Sequence, residues 1–201
     1  MERARYLGHD GRVAEQGGRG DFGMRLKKSV VMVGMMGAGK TAVGTQLSRI
    51  LEVPFIDSDD EIVRAANRNI AEIFERDGEP FFRQKETQVI TRLLEGTPCV
   101  LSTGGGAFMS AANRQLIAQK GVSVWLRADL DLLWNRVRHK NTRPLLRTDN
   151  PRETLRQLCQ LRNPVYELAD LRVDAEHDLS IEAMAKRVAG ALSTRADVLE
   201  G

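Results

Sequence analysis

The chain of 201 residues has few of the features that mark secreted, metal-binding or membrane proteins. Its only cysteines, Cys99 and Cys159, lie far apart in apolar or helical surroundings, which favours buried free thiols in a reducing compartment. The three histidines show no metal-ligand spacing. No apolar run approaches the ~20 residues of a spanning helix, and the first residues lack the apolar core of a secretory signal. We therefore expect a soluble, cytoplasmic protein.

A strong charge of one sign is also missing. The formal net charge is +3, and basic residues are interleaved with acidic ones along the chain. Because no basic stripe forms, we expect neither nucleic acid nor a membrane as a partner. An enzyme that handles phosphate groups would suffice to explain the small basic excess.

The length fits one globular domain without internal repeats. Residues 1–23 hold six of the 18 glycines and almost no apolar periodicity, so we interpret residues 1–25 as a disordered leader. Two alternatives stay open: an upstream start artefact, since Met24 precedes the first strand, or a binding arm. The domain itself is predicted to span residues 26–194, followed by a frayed tail at 195–201.

The most informative stretch is Gly34–Thr41, which reads Gly-Met-Met-Gly-Ala-Gly-Lys-Thr and matches the phosphate-loop pattern. It follows the apolar run 30–33 and precedes a helical pattern at 42–47, so the setting is strand, glycine loop, helix. Glycines let successive backbone N–H groups turn toward an anion, and the helix start adds its positive dipole end. This predicts a nucleoside triphosphate site in which Lys40 reaches the β- and γ-phosphates and the Thr41 hydroxyl binds Mg²⁺.

Acidic residues follow the next short apolar strand. Asp57 and Asp59 lie two positions apart, so in an extended segment they point the same way, toward the edge where open α/β folds bind ligands. Asp60 is assigned instead to capping the helix that follows. The strand at 98–103 ends in Ser-Thr-Gly, where many phosphate-loop enzymes have an aspartate for Mg²⁺. Asp57 is therefore the nearest candidate for the metal-side carboxylate.

Arg83 lies in a helix that we expect to begin at Pro80, after an earlier helix that ends at Gly78. The residues alone leave its role open. It either binds a ligand or pairs with Glu79 or Glu86 on a solvated helix face.

Two further segments are candidates for ligand contact. Gly104–Gly106 follow the strand at 98–103 directly and leave bare backbone that a ligand can approach closely. Periodicity disappears over residues 138–150, where basic residues including Arg143 crowd between helices, which suits either a mobile flap over phosphates or a solvated loop. The helix that begins at Asn150 carries Arg162, and we expect Pro164 to disrupt it just after that residue.

Strands and helices alternate along the chain, which predicts the α/β class: a five-stranded parallel sheet with helices on both faces. Over residues ~28–192 the chain resembles the shikimate kinase family. The matching pieces are G-M-M-G-A-G-K-T at 34–41, F-I-D-S-D at 55–59, E-I-F-x-x-x-G-E-x-x-F-R-x-x-E ending at Glu86, T-G-G-G at 103–106, R-P-L-L at 143–146 and R-N-P-V-Y at 162–166. The resemblance implies a nucleoside-monophosphate-kinase-like fold with strand order 2-3-1-4-5, and phosphoryl transfer from ATP to the 3-hydroxyl of shikimate.

The resemblance also implies a role for each matching residue. Catalytic residues would be Lys40, Asp59 and Arg143; nucleotide-binding residues Gly37, Ala38, Gly39, Lys40, Thr41, Ala42 and Arg143; substrate-binding residues Asp59, Arg83, Gly104, Gly105, Gly106 and Arg162; and the Mg²⁺ site Thr41 and Asp57. In that family the residue matching Asp59 contacts the ring hydroxyls as candidate base, and those matching Arg83 and Arg162 grip the carboxylate. Whether Arg136 or Arg138 faces the adenine stays open.

The expected partners are ATP and shikimate, bound by a monomer with a lid at about 138–150. Two rival functions remain: another small-molecule kinase of this fold, such as a gluconate kinase, or a non-catalytic regulatory module. The second would be expected to lose Lys40, Asp59 or Arg143, and the sequence keeps all three.

Overall fold

The computed structural model describes residues 25–139 and 144–200. The strands are β1 (Arg25–Leu26), β2 (Ser29–Val33), β3 (Phe55–Asp57), β4 (Val100–Ser102), β5 (Gly121–Arg127), β6 (Leu171–Asp174) and β7 (Leu199–Glu200). The helices are α1 (Lys40–Ile50), α2 (Ser58–Ala66), α3 (Ile70–Leu94), α4 (Ala111–Lys120), α5 (Leu130–Val137), α6 (Pro151–Tyr166) and α7 (Ile181–Leu192). Within the described part of the chain, no helix has the length and apolar character needed to cross a membrane.

Five of the strands form one parallel sheet in the order β3-β4-β2-β5-β6. Counted among themselves, these strands have the order 2-3-1-4-5 that the resemblance implied. All five residues of β2 are buried. Because successive strand residues point to opposite faces, helices must cover both faces of the sheet at this strand. The predicted fold class is confirmed.

Several helices begin directly after a polar residue that caps their first turn. Ser110, Asp129, Asn150 and Ser180 each accept a hydrogen bond from a backbone N–H in the first turn of their helices. The assignment of the α2 cap to Asp60 is wrong. Asp57 caps that helix, because its backbone is extended and its carboxylate accepts from the Asp59 N–H, whereas the backbone of Asp60 is already helical.

The helix α3 is interrupted by a kink at Gly78, whose φ of 79° and ψ of 169° are not helical. The break predicted at this glycine is therefore confirmed. It lies between the α3 residues that begin with Ile70 and the segment after Pro80 that carries Arg83.

The predicted disruption of α6 at Pro164 is wrong, since the helix continues to Tyr166. Proline removes one backbone donor but lies in the last helical turn, where few further bonds depend on it. The Glu167 N–H donates to the Asn163 carbonyl and closes that turn. The continuation matters because it keeps Arg162 and Tyr166 on one rigid element.

Residues 195–200 do not form the frayed tail that was predicted for 195–201. The strand β7 pairs antiparallel with β1, with Leu26 opposite Leu199 and Arg25 opposite Glu200. Val198 is fully buried and Leu199 is 6% exposed. Arg25, which the predicted leader included, thus belongs to the folded domain, and the rest of the leader lies outside the described residues.

Candidate active site

The loop between β2 and α1 closes around the side chain of Lys40. Gly34, Gly37 and Gly39 have φ values of 137°, 83° and 97°, a region that residues with a Cβ seldom adopt. Helix α1 begins at Lys40, and its Nζ donates to the carbonyls of Gly34 at 2.8 Å and Met35 at 3.1 Å. The ammonium group therefore lies within the loop at the positive end of a helix, where anions are favoured.

A cleft of about 460 Å³, here called the loop cleft, opens beside this loop. It lies at the carboxyl ends of β2, β3 and β4, next to the point where the chain switches from one side of β2 to the other. Among the residues that line it are Gly37, Ala38, Gly39, Lys40, Thr41, Ala42, Asp57, Asp59, Gly104 and Gly105. The loop cleft is therefore lined by the predicted metal residues, by the predicted nucleotide-binding residues other than Arg143, and by part of the predicted substrate-binding set.

One wall of the loop cleft was not anticipated from the sequence. It comes from the segment between β6 and α7 and the start of α7, and it includes Glu176, Leu179 and Ile181. Ile181 is 53% exposed, although it is a large apolar side chain. The only signal in the sequence was an apolar residue beside the Ser180 cap, and nothing linked it to the phosphate loop.

Arg136 also lines the loop cleft, and its Nη1 donates to the carbonyls of Gly37 and Ala38, both at 3.3 Å. Arg138 is exposed at the end of α5 and does not line it. The structure therefore brings Arg136, of the two candidates, to the cleft. Arg143 and residues 140–142 of the predicted lid lie outside the described residues.

Oxygen atoms from three elements meet on the floor of the loop cleft. Thr41 Oγ1 donates to Asp57 Oδ2 at 3.2 Å and lies 3.5 Å from Ser102 Oγ. Between residues 25 and 139 and between 144 and 200, no group of three or more His, Cys, Asp or Glu side chains is placed to hold a metal. A hydroxyl beside one carboxylate nevertheless suits Mg²⁺, which keeps several of its waters and needs few protein ligands when phosphates are present.

Asp59 occupies a confined position at the edge of the loop cleft. A Cβ added at Gly104 would lie 2.9 Å from the Asp59 Oδ1, so any residue larger than glycine at this position would displace the carboxylate. That oxygen is buried and has no hydrogen-bond partner among the described residues. Burial and the neighbouring Asp57 charge raise the pKa of Asp59 from 3.8 to about 6, against the opposing effects of Lys40 and Arg83. A carboxylate with such a pKa can accept a proton near neutral pH.

Arg83 is held by two carboxylates of its own helix. Its Nη1 donates to Glu86 at 2.8 Å, and its Nε and Nη2 donate to Glu79 at 3.2 and 3.1 Å. The pairing alternative is thus observed: the pair with Glu79 lies at the exposed surface, whereas Glu86 is fully buried. This burial raises the pKa of Glu86, although Arg83 opposes the shift. The guanidinium points at Gly106, where an added Cβ would lie 2.7 Å from Nη1.

A second cleft of about 450 Å³, here called the arginine cleft, lies between α3 and α6. Arg83 and Arg162 both line it, although they lie far apart in the sequence, and Gly106 lines it as well. Gly104 and Gly105 border the loop cleft, whereas Gly106 borders the arginine cleft. The triple glycine therefore connects the two clefts and leaves backbone alone at their junction.

Tyr166 is a part of this site that the sequence reasoning did not assign. It is fully buried, and its hydroxyl donates to the Gly105 carbonyl at 2.5 Å. Arg162 Nη1 donates to the same oxygen at 3.4 Å. Burial raises the pKa of Tyr166 to about 12, although Arg162 lowers it, so the hydroxyl keeps its proton at neutral pH. The only signal was its place in the R-N-P-V-Y motif.

The glycine loop around Lys40, the confined carboxylate and the paired arginines at one edge of a parallel sheet define a phosphate-loop kinase that acts on a small molecule. The model of the shikimate kinase family matches residues 36–193. The chain belongs to the shikimate kinase family. Its chemistry is accordingly the transfer of a phosphoryl group from ATP to the 3-hydroxyl of shikimate, a step of aromatic amino-acid biosynthesis.

Individual relatives agree with the family match. A shikimate kinase of Cereibacter sphaeroides is 70% identical over 88% of this chain and 88% of its own length. One of Ruegeria pomeroyi is 66% identical over 87% and 90%. The solved shikimate kinase of Acinetobacter baumannii in complex with shikimate is 38% identical, with a TM-score of 0.79 over 84% of this chain and 94% of that one. Nothing favours the gluconate-kinase or non-catalytic alternatives.

Proposed function

We propose that ATP occupies the loop cleft with its phosphates against residues Gly37 to Ala42. Lys40 supports this placement, because its ammonium lies inside the loop at the helix start and would neutralise charge on the transferring phosphoryl group. Arg143, from the lid at about 138–150, would close over the phosphates and add a second positive charge. The catalytic effect of both residues is positioning and charge neutralisation.

Thr41 and Asp57 are the residues that would hold Mg²⁺ in this arrangement. Their oxygen atoms lie 3.2 Å apart beside the loop, which fits one direct hydroxyl ligand and a carboxylate that acts through water. When bound, Mg²⁺ neutralises charge on the β- and γ-phosphates and fixes their orientation. Asp57 also accepts a hydrogen bond from the Asp59 N–H, so the carboxylate proposed for Mg²⁺ and the carboxylate proposed for the substrate are linked at the start of α2.

Shikimate would span the junction of the two clefts. We assign its carboxylate to Arg83 and Arg162, because guanidinium groups form two-pronged contacts with carboxylates. Its ring would lie against the bare backbone of Gly104, Gly105 and Gly106, with a hydroxyl within reach of Asp59. Asp59 would accept the proton of the 3-hydroxyl as that oxygen attacks the γ-phosphorus of ATP, whose bond to the β,γ-bridging oxygen breaks to release ADP.

One observation carries this assignment most directly: Arg83 and Arg162 line the same cleft, and the triple glycine joins that cleft to the phosphate loop. The Acinetobacter baumannii shikimate kinase was solved in complex with shikimate, which is consistent with such a cavity in the family. A clamp for the substrate carboxylate and a cradle for the ATP phosphates would therefore lie side by side.

The test replaces each arginine by lysine, which keeps the charge but loses the two-pronged geometry. Either Arg83→Lys or Arg162→Lys should raise the KM for shikimate at least tenfold and leave the KM for ATP nearly unchanged. With an analogue whose carboxylate is replaced by a hydroxymethyl group, the parent should become a poor enzyme. With this analogue, Arg83→Lys and Arg162→Lys should lose little further activity relative to the parent.

Matched controls are available on the same helices. Arg156 on α6 pairs only locally with Glu153, and Arg92 on α3 pairs with Glu61, both at the surface. Arg156→Lys and Arg92→Lys should leave both KM values unchanged. If Arg83→Lys raises the KM by the same factor for shikimate and for the analogue without a carboxylate, then Arg83 only stabilises its helix through Glu79 and Glu86. The assignment of Arg83 to the carboxylate clamp would then be wrong.

A further inference from the structure

The carbonyl oxygen of Gly105 is an acceptor that two side chains of α6 share. In the described part of the chain, its side-chain donors are Tyr166 OH and Arg162 Nη1. The two residues are one helical turn apart, so both reach the oxygen from the same side. This carbonyl belongs to the middle residue of the triple glycine, at the junction of the two clefts.

The two contacts differ in strength and in freedom. The Tyr166 hydroxyl lies at 2.5 Å, whereas Arg162 Nη1 lies at 3.4 Å, near the outer limit for a hydrogen bond. Tyr166 is fully buried, and its ring stacks near those of Trp125 at 6.0 Å and Phe108 at 6.4 Å. The tyrosine is therefore fixed, while the arginine, with several further donors, borders an open cleft.

We propose that Tyr166 is a positioning residue for the substrate clamp: it holds the Gly105 carbonyl so that Arg162 can turn from that oxygen to the substrate carboxylate. This proposal rests on the proposed function, in which Arg162 binds the carboxylate. When Arg162 leaves, the carbonyl stays hydrogen-bonded to Tyr166, and the triple glycine keeps its shape. Without the tyrosine hydroxyl, the same oxygen depends on Arg162, and carboxylate binding has to compete with it.

The direct test is Tyr166→Phe, which keeps the ring between Trp125 and Phe108 and removes only the donor. We expect the KM for shikimate to rise about tenfold, equivalent to about 1.4 kcal/mol. The kcat and the KM for ATP should stay within about twofold of the parent. Titration calorimetry with shikimate should show the same loss in affinity, independently of turnover.

If Tyr166 only stabilised the fold, the effect of Tyr166→Phe would not depend on the substrate carboxylate. This difference separates a positioning role from a purely structural one. With the hydroxymethyl analogue, Tyr166→Phe should equal the parent, because no carboxylate competes for Arg162. In the double variant with Arg162→Lys, the rise in KM should be smaller than the product of the single effects, since both act on one contact. Ser48→Ala is the control, because it removes a buried hydroxyl that donates to the Thr45 carbonyl away from both clefts. It should change neither KM.

The outcomes also separate this proposal from the proposed function. An unchanged KM for shikimate in Tyr166→Phe, or an equal loss with shikimate and with the analogue, overturns the positioning role of Tyr166 and leaves the clamp standing. If Arg162→Lys itself proves independent of the carboxylate, the clamp fails first, whatever Tyr166→Phe shows.

Discussion

The confinement of Asp59 should make the protein less stable above pH 6 than it would otherwise be. Its pKa rises from 3.8 to about 6 on folding. Between about pH 4 and pH 6, the folded protein therefore holds a proton that the unfolded chain has released, and raising the pH through this window lowers the free energy of unfolding. At 1.36 kcal/mol per pH unit, the full cost above pH 6 is about 3 kcal/mol.

Asp59→Asn removes the charge and nearly keeps the shape, so it should remove this cost. At pH 7.5 the metal-free variant should exceed the parent in free energy of unfolding by up to about 3 kcal/mol, and the difference should vanish below about pH 4. Urea unfolding in the presence of EDTA, followed by the fluorescence of Trp125 and Trp134, measures it at each pH. The kcat of the same variant should collapse, because the hydroxyl acceptor is lost.

The neighbouring Asp60→Asn provides the control, since it makes the same chemical change at an exposed position of the same helix. It should change the free energy of unfolding by only a few tenths of a kcal/mol, as expected for an acid in a first helical turn. The reasoning is refuted if Asp59→Asn is less stable than the parent at pH 7.5, or if the difference does not depend on pH.

Two further predictions concern Asp57 and the carboxyl-terminal strand. Asp57→Asn should raise the Mg²⁺ concentration needed for half-maximal turnover, with part of the rate restored by excess Mg²⁺; failure of any concentration to restore activity would exclude the metal role. Truncation after Thr194 removes Val198 and Leu199 from the core, each worth about 1.5–3 kcal/mol, so the free energy of unfolding should fall by about 3 kcal/mol or more. The KM values for shikimate and for ATP should stay unchanged in the truncated protein. If the truncated protein and the parent were equally stable in urea, β7 would contribute nothing to the free energy of unfolding.

Local chemistry explains what the sequence predicted well. The phosphate loop is recognisable because the loop, its lysine and the helix start are contiguous, so their geometry follows from neighbouring residues alone. The same holds for the break at Gly78 and for helix caps such as Ser110 and Ser180. The sheet order, in contrast, came from family resemblance rather than from the residues.

What the sequence could not predict depends on distant contacts. Nothing local distinguishes Glu86, which is fully buried, from the exposed Glu79, although both pair with Arg83. Arg83 and Arg162 line one cleft because of where α3 and α6 lie relative to the triple glycine. The strand β7 has two residues, too few for a period to show, and its pairing with β1 crosses almost the whole chain.

The pairing of β1 with β7 has a consequence for how the chain could be cut and rejoined. Arg25 and Glu200 are opposite residues of an antiparallel pair, which places their Cα atoms about 5 Å apart. A few added residues would join them, and new ends could be opened in the exposed turn at Glu95–Thr97, between α3 and β4. In such a circular permutant the triple glycine and the phosphate loop exchange their order along the chain but keep their neighbours in space. The site would then be the same, because it depends on which strands pair and not on the order in which the chain connects them.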